Sequence, residues 1–200
     1  MVYPHLSGIN IVIDPGHGGN DNGAIYDDVL EDEINLKISL FLLELCLENS
    51  MVATITRTDD YDLASLYAKN RKNEDLKKRV QYINKINPDV FVSIHLNSYV
   101  KNESVHGSMI YFRSNDEKSK RLATCINEKL KILNDKEKIV HEGDFYLLNK
   151  TKTTGVFIEC GFLSNEKERN KLTNTHYQKS IAQHILSGID FYFFKKITNK

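Results

Sequence analysis

Short apolar segments rich in β-forming residues alternate along this chain with longer amphipathic stretches, and this alternation is what most constrains the fold. Segments that are continuously apolar are typical of strands covered on both faces. They predict strands at Asn10–Asp14, Val52–Arg57, Val90–His95, Ser108–Phe112 and Gly155–Glu159, with a sixth short strand at Phe145–Leu148. We therefore expect an α/β fold with three layers: a largely parallel or mixed central sheet of about six strands and helices on both of its faces.

The amphipathic stretches supply the predicted helices. Their apolar stripes, at helical spacing, are Ile34, Ile38, Leu42 and Leu45; Leu76, Val80 and Ile83; Leu122, Ile126, Leu130 and Leu133; and Tyr177, Ile181, Ile185 and Ile189. The polar segment 59–73 is predicted to be a loop that leads into a helix near Asn73. With 200 residues, 40% of them hydrophobic, and no internal repeat, the chain is expected to be a single domain over 1–200 with a core from about 8 to 194.

Composition excludes several functional classes. The 27 Lys and Arg balance 27 Asp and Glu, so no basic excess favours a nucleic acid. Three scattered cysteines, Cys46, Cys125 and Cys160, are too few for a disulfide framework or a cysteine-rich zinc site and are predicted to be buried core residues. There is no apolar run of bilayer-spanning length and no basic-then-apolar leader at the start of the sequence.

The stretch IVIDPGHGGNDNGA, residues 11–24, places a histidine among glycines directly after a predicted strand. A phosphate-binding loop would need Lys followed by Ser or Thr after the glycines, and none follows Gly18–Gly19. The spacing of the glycines also departs from the Gly-x-Gly-x-x-Gly pattern of dinucleotide-binding loops. The glycines therefore favour the presentation of His17 to a ligand other than a phosphate.

Ionisable side chains stand at or just after the ends of three predicted strands: His17, His95 and Glu159. Ligands of open α/β sheets gather at the carboxyl ends of the strands, so these side chains are expected to meet. Two imidazoles and one carboxylate, with water in the fourth position, are a common catalytic zinc shell. The two histidines supply the nitrogens, whereas the residues alone leave the carboxylate ligand open among Asp27, Asp28, Glu31, Asp32 and Glu33.

Glu159 is the predicted acid/base. A metal-activated water needs a base to take its proton, and a departing amine needs an acid to return one; a single carboxylate beside the metal can do both. The alternative is a glutamate that is ion-paired inside the end of the sheet. The sequence FIECGF offers no neighbouring cation for such a pair.

Four motifs in order, IDPGHGG, EDEINL, SIHLNS and IECGFLSN, resemble the zinc-dependent N-acetylmuramoyl-L-alanine amidase family (amidase type 3). The resemblance runs from about Gly8 to about Phe194. The family's Glu-x-x-x-Asn-Leu motif matches Glu31 with Asn35 and Leu36. The resemblance thus implies one Zn²⁺ per chain, bound by His17, Glu31 and His95, with Glu159 as the catalytic residue.

The resemblance also implies a reaction, namely hydrolysis of the amide between the lactyl group of muramic acid and the L-alanine of the stem peptide in peptidoglycan. Within the family, the stretches TDDYDLASLYAKNRKNEDLKKRVQYIN and SNDEKSKRLA resemble the germination-specific, CwlD-type amidases of spore formers. This likeness implies a role in spore-cortex maturation, in which a muramic deacetylase partner allows muramic-δ-lactam to form. It also implies an exported protein of the cell envelope or forespore intermembrane space, whose leader is absent from this sequence.

Departures from the wider family concern targeting and control. No cell-wall-binding repeat flanks the domain, and the segment from Asn97 to Gly107 is too short for the occluding regulatory helix of some cell-division relatives. We therefore expect control to come from elsewhere, with an activating protein partner as one source. Two alternatives to the amidase remain at this point: a non-hydrolytic peptidoglycan-binding or regulatory protein on the same fold, and a zinc peptidase.

Several further residues carry weaker signals. Asn97 can contact substrate or hold a ligand, but it can equally be the turn residue that closes its strand. Arg79 matches an arginine of the family and can pair with a carboxylate near the site, although its surroundings, EDLKKR, favour a solvated helix face. No metal role is predicted for the remaining histidines, His5, His106, His141, His176 and His184.

Overall fold

The structure of the protein, a computed structural model, describes residues 3–133 and 139–198. Its strands in chain order are β1 (Asn10–Pro15), β2 (Ile25–Tyr26), β3 (Val29–Leu30), β4 (Val52–Ile55), β5 (Val90–Asn97), β6 (Met109–Phe112), β7 (His141–Glu142) and β8 (Gly155–Phe162). Its α-helices are α1 (Glu31–Glu48), α2 (Arg71–Ile86), α3 (Glu117–Leu130), α4 (Tyr146–Lys150), α5 (Glu166–Leu172) and α6 (Thr175–Thr198). Short 3₁₀ turns occupy Pro4–Leu6 and Lys131–Leu133.

The central sheet has six strands in the order β4-β1-β5-β8-β6-β7 within the described residues. Strands β4, β1, β5 and β8 run parallel, whereas β6 pairs antiparallel with β8 and parallel with β7. Strands β2 and β3 form a separate hairpin before α1. The sheet is therefore mixed, and the carboxyl ends of β1, β5 and β8 meet at one edge.

Helices cover both faces of the sheet, as the sequence predicts. Helices α1, α3 and α6 enclose the larger apolar core, which includes Ile11 and Ile13 of β1. Helices α2 and α4 enclose a smaller core with Val12 of β1. Because successive residues of a strand point to opposite faces, the alternation along β1 assigns the two cores to opposite faces of the sheet.

The predicted sixth strand at Phe145–Leu148 is wrong. Residues 146–150 form the helix α4, in which the amide of Asn149 donates to the carbonyl of Phe145 at 3.0 Å. A run of four apolar residues does not distinguish a strand from a helix, and here Leu147 and Leu148 are buried against α2 and β8 from a helical turn. The sixth strand of the sheet is instead the two-residue β7, at His141–Glu142.

Smaller differences concern element boundaries. Strand β4 ends at Ile55, two residues before Arg57, and α2 begins at Arg71, two residues before Asn73. The earlier start follows from Asn70, whose side chain caps the helix by accepting from the amide of Asn73 at 3.1 Å. Leu133, which the sequence placed on the stripe of α3, lies in the 3₁₀ turn that follows that helix.

The predicted burial of all three cysteines, Cys46, Cys125 and Cys160, is confirmed, and each is a free thiol. Across the described ranges, no helix combines the length and apolarity needed to cross a bilayer.

Candidate metal centre

His17 lies in the loop that follows β1. Its backbone adopts a left-handed conformation, with φ of 60°. The preceding Gly16 lies so close to His95 that an added Cβ would come within 2.1 Å of the imidazole Cε1. Likewise, a Cβ at Gly23 would come within 2.4 Å of a carboxylate oxygen of Glu31. The glycines around His17 therefore make room for other side chains of this site.

Glu31 is the first residue of α1, and only 5% of its side chain is exposed. Its Oε2 accepts a hydrogen bond from the amide of Ala24 at 2.8 Å. Its Oε1 accepts from the amide of Leu96 at 3.1 Å and from Nδ2 of Asn35 at 3.2 Å. Backbone from two separate segments thus fixes the carboxylate, and Asn35 fixes it from the next turn of the same helix.

His17, Glu31 and His95 converge on one point. The Oε1 of Glu31 lies 3.2 Å from Nε2 of His17 and 3.3 Å from Nδ1 of His95. One ligand atom from each of the three residues lies within 4.8 Å of the other two, which is close enough for a shared metal ion. His95 is held by stacking on Phe157, with ring centroids 4.0 Å apart. The expected proximity is present, and the role of the three residues as metal ligands stays a prediction.

Asp21 orients His17 and was missed by the sequence analysis. Its Oδ2 lies 3.0 Å from Nδ1 of His17, on the side of the ring opposite the nitrogen that faces Glu31. Such a carboxylate typically fixes the tautomer and the orientation of a metal-binding imidazole. The same oxygen lies 3.2 Å from Nζ of Lys72. The sequence signal was the position of an acid four residues after a histidine within the glycine-rich loop.

The electrostatics of the cluster favour positive charge between its carboxylates. Burial pushes the pKa of His17 down, but hydrogen bonds to Asp21 and Glu31 outweigh this effect and raise the pKa to about 9. Burial opposes ionisation of Glu31, yet contacts with His17 and His95 hold the pKa of this carboxyl well below its usual value. Burial keeps the pKa of His95 below its usual value, which favours the neutral imidazole that metals bind.

Glu159 lies on β8 directly beside His95, since the two residues are paired in the register of β5 and β8. Its Oε2 is buried, has no hydrogen-bond partner, and forms no ion pair in the part of the chain that the structure describes. Burial, followed by the negative charge of Glu31, raises the pKa of Glu159 to about 8. The alternative of an ion-paired glutamate therefore has no supporting contact, and the carboxyl group of Glu159 is left without a partner beside His95.

The other acids that the residues alone left open lie outside the cluster. Asp27 and Asp28 are exposed, and Asp27 pairs with Arg169. Glu33 is exposed and pairs with Lys37 at 3.2 Å. Asp32 is buried, but it is not among the residues whose ligand atoms converge. Of the five acids, the geometry favours Glu31.

The remaining histidines lie outside the cluster that the described residues form. His5 is 3.1 Å from Asp190, and His106 and His184 face the backbone carbonyls of Ser104 and Ser180. Asn97 closes β5, and its Oδ1 accepts from the amide of Ser98 at 2.7 Å, as a turn residue does. Its predicted contact with substrate stays a prediction.

The solvated position favoured for Arg79 is wrong. Its side chain is 2% exposed and donates to Asp14 at 2.9 Å and to Asp75 at 2.7 Å. It also donates to the carbonyls of Pro15 and His17, both at 2.6 Å. A second buried arginine, Arg57, which the sequence analysis did not single out, contacts the same loop. Hydrogen bonds to these carbonyls stabilise both arginines in buried positions. The charged residues that flank Arg79 in the sequence do not reveal these contacts, so its burial could not be predicted from them.

A cavity of about 140 Å³ opens beside the two imidazoles. Its wall includes Phe145 and Tyr146 at the start of α4, Phe157 of β8 and Leu76 of α2. The imidazoles of His17 and His95 are therefore accessible from a largely apolar recess rather than sealed within the core.

Fold and site together define an α/β protein with a His–Glu–His cluster beside an unpaired carboxylate, the arrangement that a metal-dependent hydrolase needs. The model of the N-acetylmuramoyl-L-alanine amidase family matches residues 11–190, and the chain belongs to this family. The family resemblance of the four sequence motifs is thereby confirmed.

Individual relatives agree with this assignment. The chain is 33% identical to the germination-specific N-acetylmuramoyl-L-alanine amidase of Bacillus subtilis, over 96% of this chain and 82% of the relative. It is 39% identical to the CwlD amidase of Clostridioides difficile, solved in complex with the GerS lipoprotein, with a TM-score of 0.87 over 91% of this chain and 96% of that one. The catalytic domain of CwlV from Paenibacillus polymyxa shares 29% identity and a TM-score of 0.80, over 91% of this chain and 96% of that domain.

Proposed function

We propose that this amidase depends on zinc and acts on spore-cortex peptidoglycan, where it hydrolyses the amide between the lactyl group of muramic acid and the L-alanine of the stem peptide. One observation carries the proposal: His17, Glu31 and His95 converge beside the buried, unpartnered oxygen of Glu159. Two imidazoles and a carboxylate fit zinc, which accepts nitrogen and oxygen ligands and keeps one position open at catalytic sites.

Separate residues of this chain would bind the metal and transfer the protons. His17, Glu31 and His95 would hold the metal, and Asp21 would keep His17 in the orientation that ligation requires. When bound, zinc supplies a Lewis acid that polarises the lactyl carbonyl and lowers the pKa of water.

Glu159 would move the protons. It takes one from the attacking water and passes it to the alanine nitrogen as the carbon–nitrogen bond breaks, so that water and amide yield a free lactyl carboxylate and a free amine. Its buried oxygen has no protein partner in the described residues, which leaves it available to the substrate.

The cortex role and the partners rest on likeness to relatives. The amidase of Bacillus subtilis is named as germination-specific, and that of Clostridioides difficile was solved with the lipoprotein GerS. By extension, we propose that this chain acts in the cell envelope of a spore former, upstream of a muramic deacetylase, and that it has an activating protein partner.

Zinc content and product analysis together test the proposal. We expect near one zinc per chain after exhaustive dialysis, and cleavage of purified muropeptides into free muramic carboxylate and intact stem peptide by mass spectrometry. Products cut within the stem peptide would support a zinc peptidase instead. Muropeptide binding without cleavage, with zinc supplied, would support a non-hydrolytic binding protein. Zinc content that stays near zero under every condition would overturn the proposed metal dependence.

A further inference from the structure

Arg57 is a fully buried arginine close to the candidate metal centre, with 0% of its surface exposed. In the described part of the chain, it forms no ion pair with a carboxylate. Its hydrogen bonds go to four backbone carbonyls, those of Pro15, Gly16, Asp32 and Asp59. Burial of a cation is costly, so these carbonyl contacts, together with the attraction of the nearby carboxylates of Asp14, Asp32 and Asp60, must offset a large loss of hydration.

One nitrogen of Arg57 joins the two segments that carry His17 and Glu31. Its Nη2 donates to the carbonyl of Gly16 at 2.9 Å and to the carbonyl of Asp32 at 2.8 Å. Gly16 immediately precedes His17, and Asp32 immediately follows Glu31. A single planar group therefore fixes the distance between the loop after β1 and the first turn of α1.

The second buried arginine, Arg79, makes a different set of contacts. It pairs with two carboxylates, those of Asp14 and Asp75, and it also donates to the loop carbonyls of Pro15 and His17. None of its hydrogen bonds in the described residues reaches α1. Arg79 can thus hold the loop against β1 and α2, whereas the bridge from the loop to the helix that begins with Glu31 comes from Arg57.

We infer that Arg57 is a positioning residue for the metal centre, because its Nη2, which donates to the carbonyls of both Gly16 and Asp32, sets the spacing of His17 and Glu31. This inference rests on the proposed zinc dependence. A lysine at this position would keep the charge but not the planar fork, so it cannot reproduce the geometry of these contacts. An Arg57 variant should therefore bind zinc more weakly than a variant that is destabilised at a site remote from the metal centre.

The test compares Arg57→Lys with Ile126→Ala, which truncates a buried side chain of α3 in the larger core, outside the cluster. Zinc affinity is measured by competition with a chromophoric chelator at a temperature where both variants are folded. We expect Arg57→Lys to bind zinc at least about tenfold more weakly than the wild type, the loss typical of altered support around metal ligands. Ile126→Ala should lower the melting temperature and leave zinc affinity unchanged.

A spectroscopic measurement separates positioning from stability. The d–d absorption of bound Co²⁺ reports ligand geometry, so it should change in Arg57→Lys and match the wild type in Ile126→Ala. Arg57→Gln serves as a second variant if the lysine variant does not fold, because it removes the buried charge as well as the fork. We expect the same loss of zinc affinity from it.

The outcomes are distinct. Wild-type zinc affinity and an unchanged Co²⁺ spectrum in a folded Arg57 variant, or a loss of affinity no larger than that of Ile126→Ala, would overturn the positioning role alone. Failure of the wild-type protein to bind zinc would overturn the proposed function, and this inference with it.

Discussion

The two halves of the candidate site are built in opposite ways. On the side of α1, Glu31 accepts hydrogen bonds from the amides of Ala24 and Leu96 and from Asn35, so both of its oxygens are occupied. On the side of β8, Glu159 has a buried oxygen with no partner in the described residues. Both carboxylates lie beside His95, yet one is fully paired and the other is not.

The difference is consistent with the separate tasks proposed for the two carboxylates. A buried group whose hydrogen bonds are all made keeps one position, as a metal ligand must. A buried polar atom left without a partner is uncommon and costs stability, and such atoms concentrate where a ligand or a proton completes the site. We therefore expect substitutions on the α1 side to act through zinc affinity and substitutions of Glu159 to act through turnover.

The largest effect is expected from His95→Ala, which removes one of the three proposed metal ligands. Zinc should fall from near one per chain to a small fraction, and muropeptide cleavage should be lost with it, because a three-ligand site cannot spare a ligand. Elemental analysis and product mass spectrometry measure the two quantities. His106→Ala, in an exposed loop, is the control and should change neither. Normal zinc content in His95→Ala would show that His95 is not a metal ligand.

Glu159→Gln should separate turnover from zinc binding. The amide keeps the shape of the side chain but cannot take a proton from water, so kcat should fall by about 10²- to 10⁴-fold, the range typical of lost acid–base catalysis. Zinc content should remain near one per chain.

Glu33→Gln is the matched control for this experiment, because Glu33 is an exposed acid of the first turn of α1 that pairs with Lys37. It should change neither turnover nor zinc content. Full activity in Glu159→Gln would show that Glu159 is not the acid/base. Loss of zinc in that variant would show that Glu159 contributes to metal binding.

A smaller effect is expected from Asp21→Asn. The carboxylate 3.0 Å from Nδ1 of His17 fixes the ring, so its replacement by an amide should weaken zinc binding by about 10- to 100-fold without removing a ligand. Chelator competition measures the change. Asp28→Asn, at an exposed position later in the chain, should match the wild type. Equal zinc affinity in both variants would show that His17 needs no such support.

The site residues that the sequence predicted best are those at the ends of strands. The period of a strand and the meeting of parallel strands at one edge were enough to predict that His95 and Glu159 lie together, with His17 following β1. Glu31 did not follow from the residues alone, because five acids are close in sequence and only the packing of α1 brings one of them into contact with both histidines. Its selection came from the family motif, in which Asn35 is the residue that holds it.

Contacts made across the chain account for what the sequence could not predict. Arg57 and Arg79 are buried partly because the carbonyls of the loop after β1 accept their hydrogen bonds, and those carbonyls are 41–64 residues away, far beyond any local pattern. The short apolar segment 145–148 is compatible with either a strand or a helix, and only its packing against α2 decides between them. The fold class therefore follows from periodicity, whereas the support of the site depends on long-range polar contacts.

The smallest effect is expected from Lys72→Gln, which tests whether Lys72 is needed for Asp21 to support His17. Lys72 contacts the same oxygen of Asp21 at 3.2 Å, but 66% of its side chain is exposed. Exposed ion pairs contribute about 1 kcal/mol or less, which corresponds to about fivefold in a binding constant. Removal of this positive charge should therefore tighten zinc binding slightly, by less than about fivefold, and added salt should reduce the difference between the variant and the wild type. A loss of zinc affinity as large as that of Asp21→Asn would instead mean that Lys72 holds Asp21 in place, and that the support of His17 extends to the surface of α2.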